Sequence, residues 1–444
     1  MTQIADLTVT EAAARISRGE TSAEELVRAS IDRIATLEPD VQAWQSFDPE
    51  RALAAARASD EARREGKGIG PLHGVPVAIK DIIDTADFPT ENGCRAHAGR
   101  QPTHDAVCVT ALRRAGAVIM GKTVTTELAT FTPGKTRNPR NTEHTPGGSS
   151  SGSAAAVAAG MVPAALGTQT VGSVVRPAAF CGIFGLKPTF GLIPRTGVLT
   201  QAPSLDTVGV YGRSVEDLAL LADVLQGHDD RDPATMATSR PRLLDIATQE
   251  WPLEPLFAFA KTHAWADADP STHAAFGELV EELGGQVTEI GIDSTTERGF
   301  AAARVVQKVE MALQFGPILD RSPELLSDNL RAQLEEGRAI PGVEYLAALN
   351  ARAQFYETIE DVLLNYGTIL TPAAPGTAPK GLGSTGNPVF CGFWTYLGVP
   401  AVTLPLLEVD GMPMGVQLIG ARRDDGRLLR TAKWLAQRVA ASSA

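Results

Sequence analysis

Residues 145–189 read TPGGSSSGSAAAVAAGMVPAALGTQTVGSVVRPAAFCGIFGLKPT, with two turns of glycine and serine around a run of small apolar residues. Glycine is useful where the backbone must approach another group closely or adopt a positive φ. A flexible Gly/Ser linker would not run directly into a helix of alanine and valine and then into a second such turn. The segment therefore predicts a built site that contains serines.

The chemistry open to these serines depends on a base, because a serine hydroxyl is a weak nucleophile until its proton is removed. Histidine is the usual base, but none of the seven histidines stands in a setting that indicates this role. A lysine can replace it when burial or nearby positive charge keeps the amine neutral. Lys80 directly follows the apolar run VPVAI at residues 75–79, so it fits that requirement.

Outward from this segment, short apolar runs alternate with helical patterns. Residues 75–79 and 117–120 predict strands, and residues 106–115 and 154–159 predict helices. Such alternation favours an α/β fold with a central mixed β-sheet flanked by helices on both faces. Because open α/β sheets tend to place function at the carboxyl ends of strands, the position of Lys80 is notable.

The whole chain, residues 1–444, is predicted to form one domain with four regions. These are N-terminal helices at 1–65, a catalytic core at 66–235, a helical subregion at about 240–365, and a C-terminal sheet and helix at 366–444. Ser22 and Glu25 form a capping-box pattern before a helix, and Asp410-Gly411 predicts the turn of a hairpin. The helical subregion is expected to cover or border the site.

Composition narrows the classes of partner. The 444 residues are 43% hydrophobic and carry a formal net charge of -12, which argues against a nucleic-acid partner and an anionic membrane surface. No signal-peptide pattern and no apolar stretch of membrane-spanning length occurs, so a cytoplasmic protein is expected. The four cysteines are expected to be small buried hydrophobes, and no ligand spacing predicts a metal or another cofactor.

The chain resembles the amidase signature family in a series of motifs that occur in the same order. The motifs are PLHGVPVAIKD, GKTVTTELA, NPRNTEHTPGG, GGSSSGS, TQTVGS, PAAFCG, GLKPT, LDTVG and STGNPVFCGFWTYLGVPAVTLP. The resemblance extends over most of the chain and is densest between residues 70 and 210. It implies the amidase signature fold and a hydrolase that cleaves a carboxylic amide C–N bond through an acyl-enzyme.

The resemblance also implies a role for individual residues. Ser173 matches the nucleophile, Ser149 matches a bridging serine that follows a cis peptide bond, and Lys80 matches the base. The implied proton path runs from Ser173 through Ser149 to Lys80 and back to the leaving nitrogen. The implied oxyanion hole consists of backbone N–H groups, which often supply the largest single catalytic effect; they belong to Thr170, Val171, Gly172 and Ser173.

Neighbouring polar residues are expected to support the turns rather than react. Ser150, Ser151 and Ser153 are expected to hydrogen-bond the first turn or cap the helix that follows it. Arg176 and Asp206 also match common family positions, and both are expected to pair with or shape the second turn.

The second turn departs from the common family pattern T-D-T-G-G-S, because it reads TQTVGS. Gln169 in place of the acid occurs in one branch of the family, together with an arginine at the position of Arg176. Val171 replaces a glycine; it keeps its N–H, but its β-branched side chain disfavours positive φ. Either the backbone suits valine and the pocket is narrower or more apolar, or the turn is distorted and activity is low.

The substrate stays open at this point. The resemblance to stand-alone, malonamidase-like amidases implies a small-molecule amide, and a pocket for apolar groups is predicted from Phe131, Phe390, Trp394 and Leu397. Esters and carbamates remain alternatives, because the same nucleophile and oxyanion hole serve them. A glutaminase subunit of an amidotransferase complex is a further alternative, and the assembly could also be a homodimer. An inactive binding protein is disfavoured by the retention of all three of Lys80, Ser149 and Ser173.

Overall fold

A computed structural model describes residues 4–67 and 69–442 of the chain. Within these residues, eleven strands form one mixed sheet. The strands are β1 (Trp44–Phe47), β2 (Pro76–Lys80), β3 (Val118–Thr123), β4 (Ala164–Gln169), β5 (Phe184–Lys187), β6 (Thr207–Gly212), β7 (Leu256–Ala260), β8 (Val287–Ile290), β9 (Gly367–Pro372), β10 (Ala401–Val409) and β11 (Met412–Ile419). Their order across the sheet is β1-β3-β2-β4-β6-β5-β10-β11-β9-β7-β8.

Helices flank both faces of this sheet, as the sequence predicts. The described part of the chain contains α1 (Val9–Arg18), α2 (Ala23–Val41), α3 (Pro49–Arg64), α4 (Val107–Arg114), α5 (Ser151–Ala158), α6 (Val175–Cys181), α7 (Val215–Leu225), α8 (Leu243–Ala247), α9 (Pro270–Leu283), α10 (Asp293–Arg321), α11 (Asp328–Ala339), α12 (Gly342–Tyr366), α13 (Gly392–Leu397) and α14 (Asp425–Ser442). The mixed α/β architecture is therefore confirmed.

Two parallel strand pairs explain how distant parts of the sequence meet. Strand β2 pairs parallel with β3 on one side and with β4 on the other. All residues of β2 and β4 are buried, which is typical of strands covered on both faces. Since parallel strands end at the same edge of a sheet, the ends of β2 and β4 bring Lys80 next to Thr168.

Close packing of α5 against the sheet fixes the first Gly/Ser turn. A Cβ atom on Gly152 would lie 2.2 Å from the carbonyl oxygen of Ala43 and 2.5 Å from the backbone nitrogen of Val124. Only glycine fits at such a distance, because any side chain would displace the backbone of the neighbouring strands. The small residues of this segment thus allow the serine turn to lie directly on the ends of the strands.

Several local predictions are confirmed. Ser22 and Glu25 form the capping box of α2, and Asp410 and Gly411 lie in the turn between the antiparallel strands β10 and β11. All four cysteines are buried and free. No helix within the described ranges is long and apolar enough to cross a membrane.

The predicted helical subregion differs in one respect, because it also contains the parallel strands β7 and β8 at one edge of the sheet. The run LFAFA of β7 is only five residues long and mostly buried. A short apolar run of this kind cannot be distinguished from a buried helical segment by its periodicity alone. Strand β8 lies at the edge and is partly exposed, so it lacks a strong apolar pattern.

Candidate active site

Lys80 lies in the interior of the protein and contacts two hydroxyl groups. Its Nζ atom donates to Ser149 Oγ at 2.7 Å and to Thr168 Oγ1 at 2.8 Å. The side chain is fully buried, and this burial lowers the pKa of Lys80 well below its ordinary value, although the negative charge of Asp206 opposes the shift. A buried lysine without an acid in direct contact favours the neutral amine, which is the form able to accept a proton.

The peptide bond between Gly148 and Ser149 is cis, as expected. Both carbonyl groups around it have donors. Gly148 O accepts from Arg176 Nη2 at 2.6 Å, and Ser149 O accepts from the backbone N–H of Thr126 at 3.3 Å. The backbone that carries Ser149 is therefore fixed from two directions while its hydroxyl contacts Lys80.

The three neighbouring serines hold the turn in place. Ser150 Oγ lies 3.2 Å from both the backbone N and O of Thr168, at the end of β4. Ser151 Oγ donates to Gly147 O at 2.8 Å, and Ser153 Oγ donates to Leu166 O at 2.8 Å. Each of these hydroxyls is committed to backbone, so their contacts agree with the supporting role expected for them.

The second turn, residues 170–173, leads directly from β4 into α6. Ser173 is half-buried and lines a cleft, and its hydroxyl makes no hydrogen bond to any described residue. The backbone N–H groups of Thr170, Val171, Gly172 and Ser173 likewise have no acceptor in the described part of the chain. Four free donors therefore lie in the same turn as a serine that is accessible from the cleft.

Val171 occupies this turn without backbone strain. It is not among the residues with positive φ, so the backbone suits a β-branched side chain. Its Cγ1 atom lies 3.0 Å from the position that a Cβ on Gly392 would occupy. The side chain thus packs against the start of α13, and of the two alternatives for this residue the compatible backbone is the one observed.

The cleft in front of Ser173 is narrow and largely polar. Besides the turn, its wall comprises Ala129, Thr130, Phe131, Arg176, Gln201, Gln307 and Pro388. Gln307 belongs to α10, so the helical subregion borders the site. It accepts from Arg304 Nη1 at 2.8 Å, and the Arg304 guanidinium lies 5.2 Å from the centre of the Phe131 ring. No carboxylate and no imidazole belongs to this wall.

The predicted apolar pocket residues are separated by the structure. Phe131 lines the cleft, whereas Phe390 and Trp394 are each only 1% exposed and do not contribute to its wall. Phe390 packs with Ala264 and Ala268, whereas Trp394 and Leu397, both in α13, belong to another core cluster. Apolar character alone does not distinguish such core positions from cleft positions, because both accept large side chains.

Arg176 has one nitrogen that the protein does not use. Its Nε donates to Thr385 O at 2.7 Å and its Nη2 donates to Gly148 O, but its Nη1 is buried without a hydrogen-bond partner. Nη1 lies 3.2 Å from the position of a Cβ on Gly172. Burial lowers the pKa of Arg176 to about 10, and no Asp or Glu in the described chain offsets this cost. The expected role in shaping the turn therefore accounts for Nε and Nη2 of Arg176 but not for Nη1.

Asp206 links the second turn to the loop at residues 201–202. Its carboxylate accepts from Thr170 Oγ1 at 2.6 Å and from the backbone N–H groups of Gln201 and Ala202. Burial raises the pKa of Asp206 to about 6, and these three donors oppose that shift. The contacts are those of a residue that fixes the loop around Thr170, as expected.

Comparisons with known proteins identify the family of this chain. The model of the family described as Amidase matches residues 25–429. A glutamyl-tRNA(Gln) amidotransferase subunit from Chloroflexus aurantiacus is 33% identical over 470 aligned positions, which cover 97% of this chain and 96% of that protein. The corresponding protein from Symbiobacterium thermophilum is 36% identical, with 96% of both chains covered.

A solved structure gives the same result for the fold. A protein from a vestigial complex, described as revealing the evolutionary origins of an s-triazine catabolic enzyme, matches with a TM-score of 0.90 at 30% identity and covers 98% of both chains. The family match spans most of the chain and includes both serine turns and Lys80. The chain therefore belongs to the amidase signature family.

Proposed function

We propose that this protein hydrolyses a carboxamide C–N bond through an acyl-enzyme on Ser173. The observation that carries the proposal is the fully buried Lys80, which contacts Ser149 at 2.7 Å beside a turn that presents Ser173 and four free N–H groups. A poised base, an accessible hydroxyl and unused donors are the three parts that acyl transfer requires.

The reaction begins with attack of Ser173 Oγ on the substrate carbonyl carbon. The Ser173 proton passes to Ser149 Oγ, and the Ser149 proton passes to the neutral Nζ of Lys80. The carbonyl oxygen becomes negative and accepts hydrogen bonds from the N–H groups of residues 170–173. The C–N bond then breaks as the same path returns a proton to the nitrogen, and water attacks the ester on Ser173 by the reverse path.

The link between Ser173 and Ser149 is the step that substrate must complete. Only the Lys80–Ser149 contact is formed in the free protein, since the Ser173 hydroxyl has no partner among the described residues. Catalytic hydrogen bonds are often long or unformed without substrate and tighten in the complex. The free hydroxyl is therefore compatible with the relay.

The favoured substrate carries a carboxylate as well as the amide. Nη1 of Arg176 is a buried donor without a partner, it lies beside Gly172, and the cleft wall contains no acid that would neutralise it. An uncompensated buried charge is costly, and a bound carboxylate supplies both the opposite charge and the missing acceptor. Monoamides of small dicarboxylic acids and glutamine share this chemistry.

A second candidate function is that of a glutaminase subunit that passes ammonia to a partner. The relatives named above belong to amidotransferases and match this chain over almost its entire length. Glutamine also meets the requirement set by Arg176, because it has an α-carboxylate. The two candidates thus differ in whether the chain acts alone and in how it treats free glutamine. Esters and carbamates with a carboxylate are further substrates of the same site.

A substrate panel tests both candidates. The purified chain is incubated with glutamine, with monoamides of dicarboxylic acids and with neutral amides of equal size, and ammonia release is measured. Intact mass detects the acyl-enzyme, and Ser173→Ala serves as the control. Turnover of the monoamides by the chain alone supports a stand-alone amidase, whereas turnover restricted to glutamine supports the glutaminase function. An acyl adduct that persists in Ser173→Ala contradicts the proposed nucleophile.

A further inference from the structure

Gln169 has a side chain that spans the second turn from its start to its end. Its Oε1 accepts from the backbone N–H groups of Val174 at 2.8 Å and Val175 at 3.0 Å, which begin α6. Val174 is the N-cap residue of that helix and makes no side-chain cap of its own. Gln169 therefore supplies the cap from the end of β4, across residues 170–173.

The other end of the amide reaches α13. Nε2 of Gln169 donates to Thr395 Oγ1 at 2.9 Å, and Thr395 Oγ1 lies 2.7 Å from the carbonyl oxygen of Val171. The orientation of the amide is determined by its surroundings, because Oε1 faces two groups that can only donate. Since the Thr395 hydroxyl accepts from Nε2, its single proton is available for the carbonyl of Val171, with Cys391 O a longer alternative at 3.3 Å.

Holding the carbonyl of Val171 also fixes the N–H of Gly172. The two groups belong to one planar trans peptide and point in opposite directions. With the carbonyl directed at Thr395 in α13, the N–H of Gly172 is directed away from α13. This N–H has no acceptor in the part of the chain that the structure describes, and Gly172 lines the cleft.

We propose that Gln169 and Thr395 are positioning residues that aim the Gly172 N–H at the oxyanion, through a chain of hydrogen bonds from Gln169 to Thr395 to the Val171 carbonyl. The inference rests on the proposed acyl-enzyme function and adds two residues to it. Neither residue lines the cleft. Their effect is to fix one oxyanion donor before the substrate arrives, so that no reorientation is needed during the reaction.

In this chain the hydrogen bond from position 169 to Thr395 requires an amide, whereas the common family pattern has an aspartate at this position. A carboxylate has only acceptors, so it would draw the Thr395 proton away from Val171. It would also place a negative charge beside the developing oxyanion. The Gln169→Glu variant keeps the length of the side chain and an oxygen for the cap of α6, and it changes mainly the end that faces Thr395.

The test uses the full-length protein and a fluorophosphonate probe, whose phosphoryl oxygen occupies the oxyanion site after attack by Ser173. We compare the wild type with Gln169→Glu, Thr395→Val, Thr395→Ser and the double variant Gln169→Glu/Thr395→Val. For each, the second-order rate of labelling by the probe is measured, together with kcat and KM for an amide from the substrate panel that the wild type hydrolyses. Thr395→Val removes the hydroxyl at nearly constant volume, and Thr395→Ser restores it. Thermal unfolding midpoints identify any variant that is lost through misfolding.

We expect Gln169→Glu and Thr395→Val each to lower the labelling rate and kcat by about tenfold or more, with KM changed by less than about twofold, because an oxyanion donor acts mainly in the transition state. Thr395→Ser is expected to stay within about threefold of the wild type. The double variant is expected to be no slower than the worse single variant, since both changes break one chain of hydrogen bonds.

Three outcomes would overturn the positioning role. These are wild-type labelling by a folded Thr395→Val, equal loss in Thr395→Ser and Thr395→Val, or additive losses in the double variant. Such results leave the proposed function intact if the wild type is labelled on Ser173. A wild type that the probe does not label on Ser173 overturns the proposed function and, with it, the positioning role.

Discussion

Replacing Lys80 with methionine separates the proposed catalytic role of this residue from its cost to stability. Lys80→Met keeps the length of the side chain in a fully buried position and removes the amine that contacts Ser149 and Thr168. Positioned acid–base groups contribute about 10²–10⁴-fold to a rate, so kcat is expected to fall by at least about 10²-fold. Lys380→Met, which removes an exposed lysine paired with Glu143, is the matched control and should keep wild-type activity.

The same variant should change how stability depends on pH. Burial lowers the pKa of Lys80 in the folded state, whereas the unfolded chain has the ordinary value of 10.5. Between these two values the unfolded state binds more protons, so the free energy of unfolding of the wild type rises with pH. One group contributes at most about 1.4 kcal/mol per pH unit to this rise, and Lys80→Met should lack that contribution.

Urea unfolding at pH values between about 6 and about 10 measures how the free energy of unfolding depends on pH. Lys122 and Lys187 also have lowered pKa values, about 8 and about 7, and contribute slopes of the same sign. The quantity to compare is therefore the difference between wild type and Lys80→Met at each pH, in which these shared contributions cancel. A difference that is constant with pH would refute a neutral Lys80, and retained activity would refute its role as base.

Four further predictions concern the cleft. Ser173→Ala should abolish turnover and acyl-enzyme formation with an unchanged thermal midpoint; residual turnover by this variant would argue for a different nucleophile. Arg176→Gln should lose one charged hydrogen bond to substrate, about 1.5–3 kcal/mol, and raise KM about 10- to 150-fold for amides that carry a carboxylate. The KM of neutral amides, measured in parallel, should change far less. An equal rise in KM for both kinds of amide would show that Arg176 only supports the backbone and does not bind the carboxylate. Val171→Gly should lower stability and alter substrate preference, because it removes packing against Gly392 and loosens the turn; unchanged rates and preferences would count against a role for this side chain. Phe131→Ala should alter KM with little loss of stability, whereas Phe390→Ala should cost about 3–5 kcal/mol of folding free energy, and the reverse pattern in denaturant and kinetic measurements would contradict the assignment of Phe131 to the cleft.

The sequence predicts much of the sheet because the relevant signals are local. The run VPVAI forms β2 and places Lys80 at its carboxyl end, and the Asp410-Gly411 pair forms the turn of a hairpin. Strand β7 is not predicted, because a buried run of five apolar residues has no periodicity that distinguishes strand from helix. What fails is therefore the assignment of short elements, whose structure is decided by their neighbours in the sheet.

The candidate site shows the same division. The serines and Lys80 stand in recognisable motifs, but Gln307 lies more than 130 residues after Ser173 in a segment without such a signal. Thr395 lies within the motif STGNPVFCGFWTYLGVPAVTLP, but nothing in that motif assigns it a role. Phe390 and Trp394 are predicted to line the pocket because they are large and apolar, and the structure buries both in the core. Whether the side chains of a short helix such as α13 face the cleft or the core depends on its packing against α10 and α12, which come from other parts of the sequence.

In the proposed function, Arg176 supports the backbone and also binds the substrate carboxylate, and its geometry allows both. The guanidinium has five N–H donors in one rigid plane, so bonds from Nε and Nη2 to the carbonyls of Thr385 and Gly148 leave Nη1 in a fixed direction. An arginine held in this way loses little entropy when it binds an anion, because its rotamer is already determined. A role in shaping the second turn therefore does not compete with a role in binding, because the backbone contacts hold the unused nitrogen Nη1 beside Gly172 in that turn.

A lysine, with a single flexible ammonium, offers no comparable arrangement. Arg176→Lys should consequently weaken binding of the carboxylate almost as strongly as Arg176→Gln, even though it keeps the positive charge, and KM values equal to those of the wild type in Arg176→Lys would show that charge alone is enough.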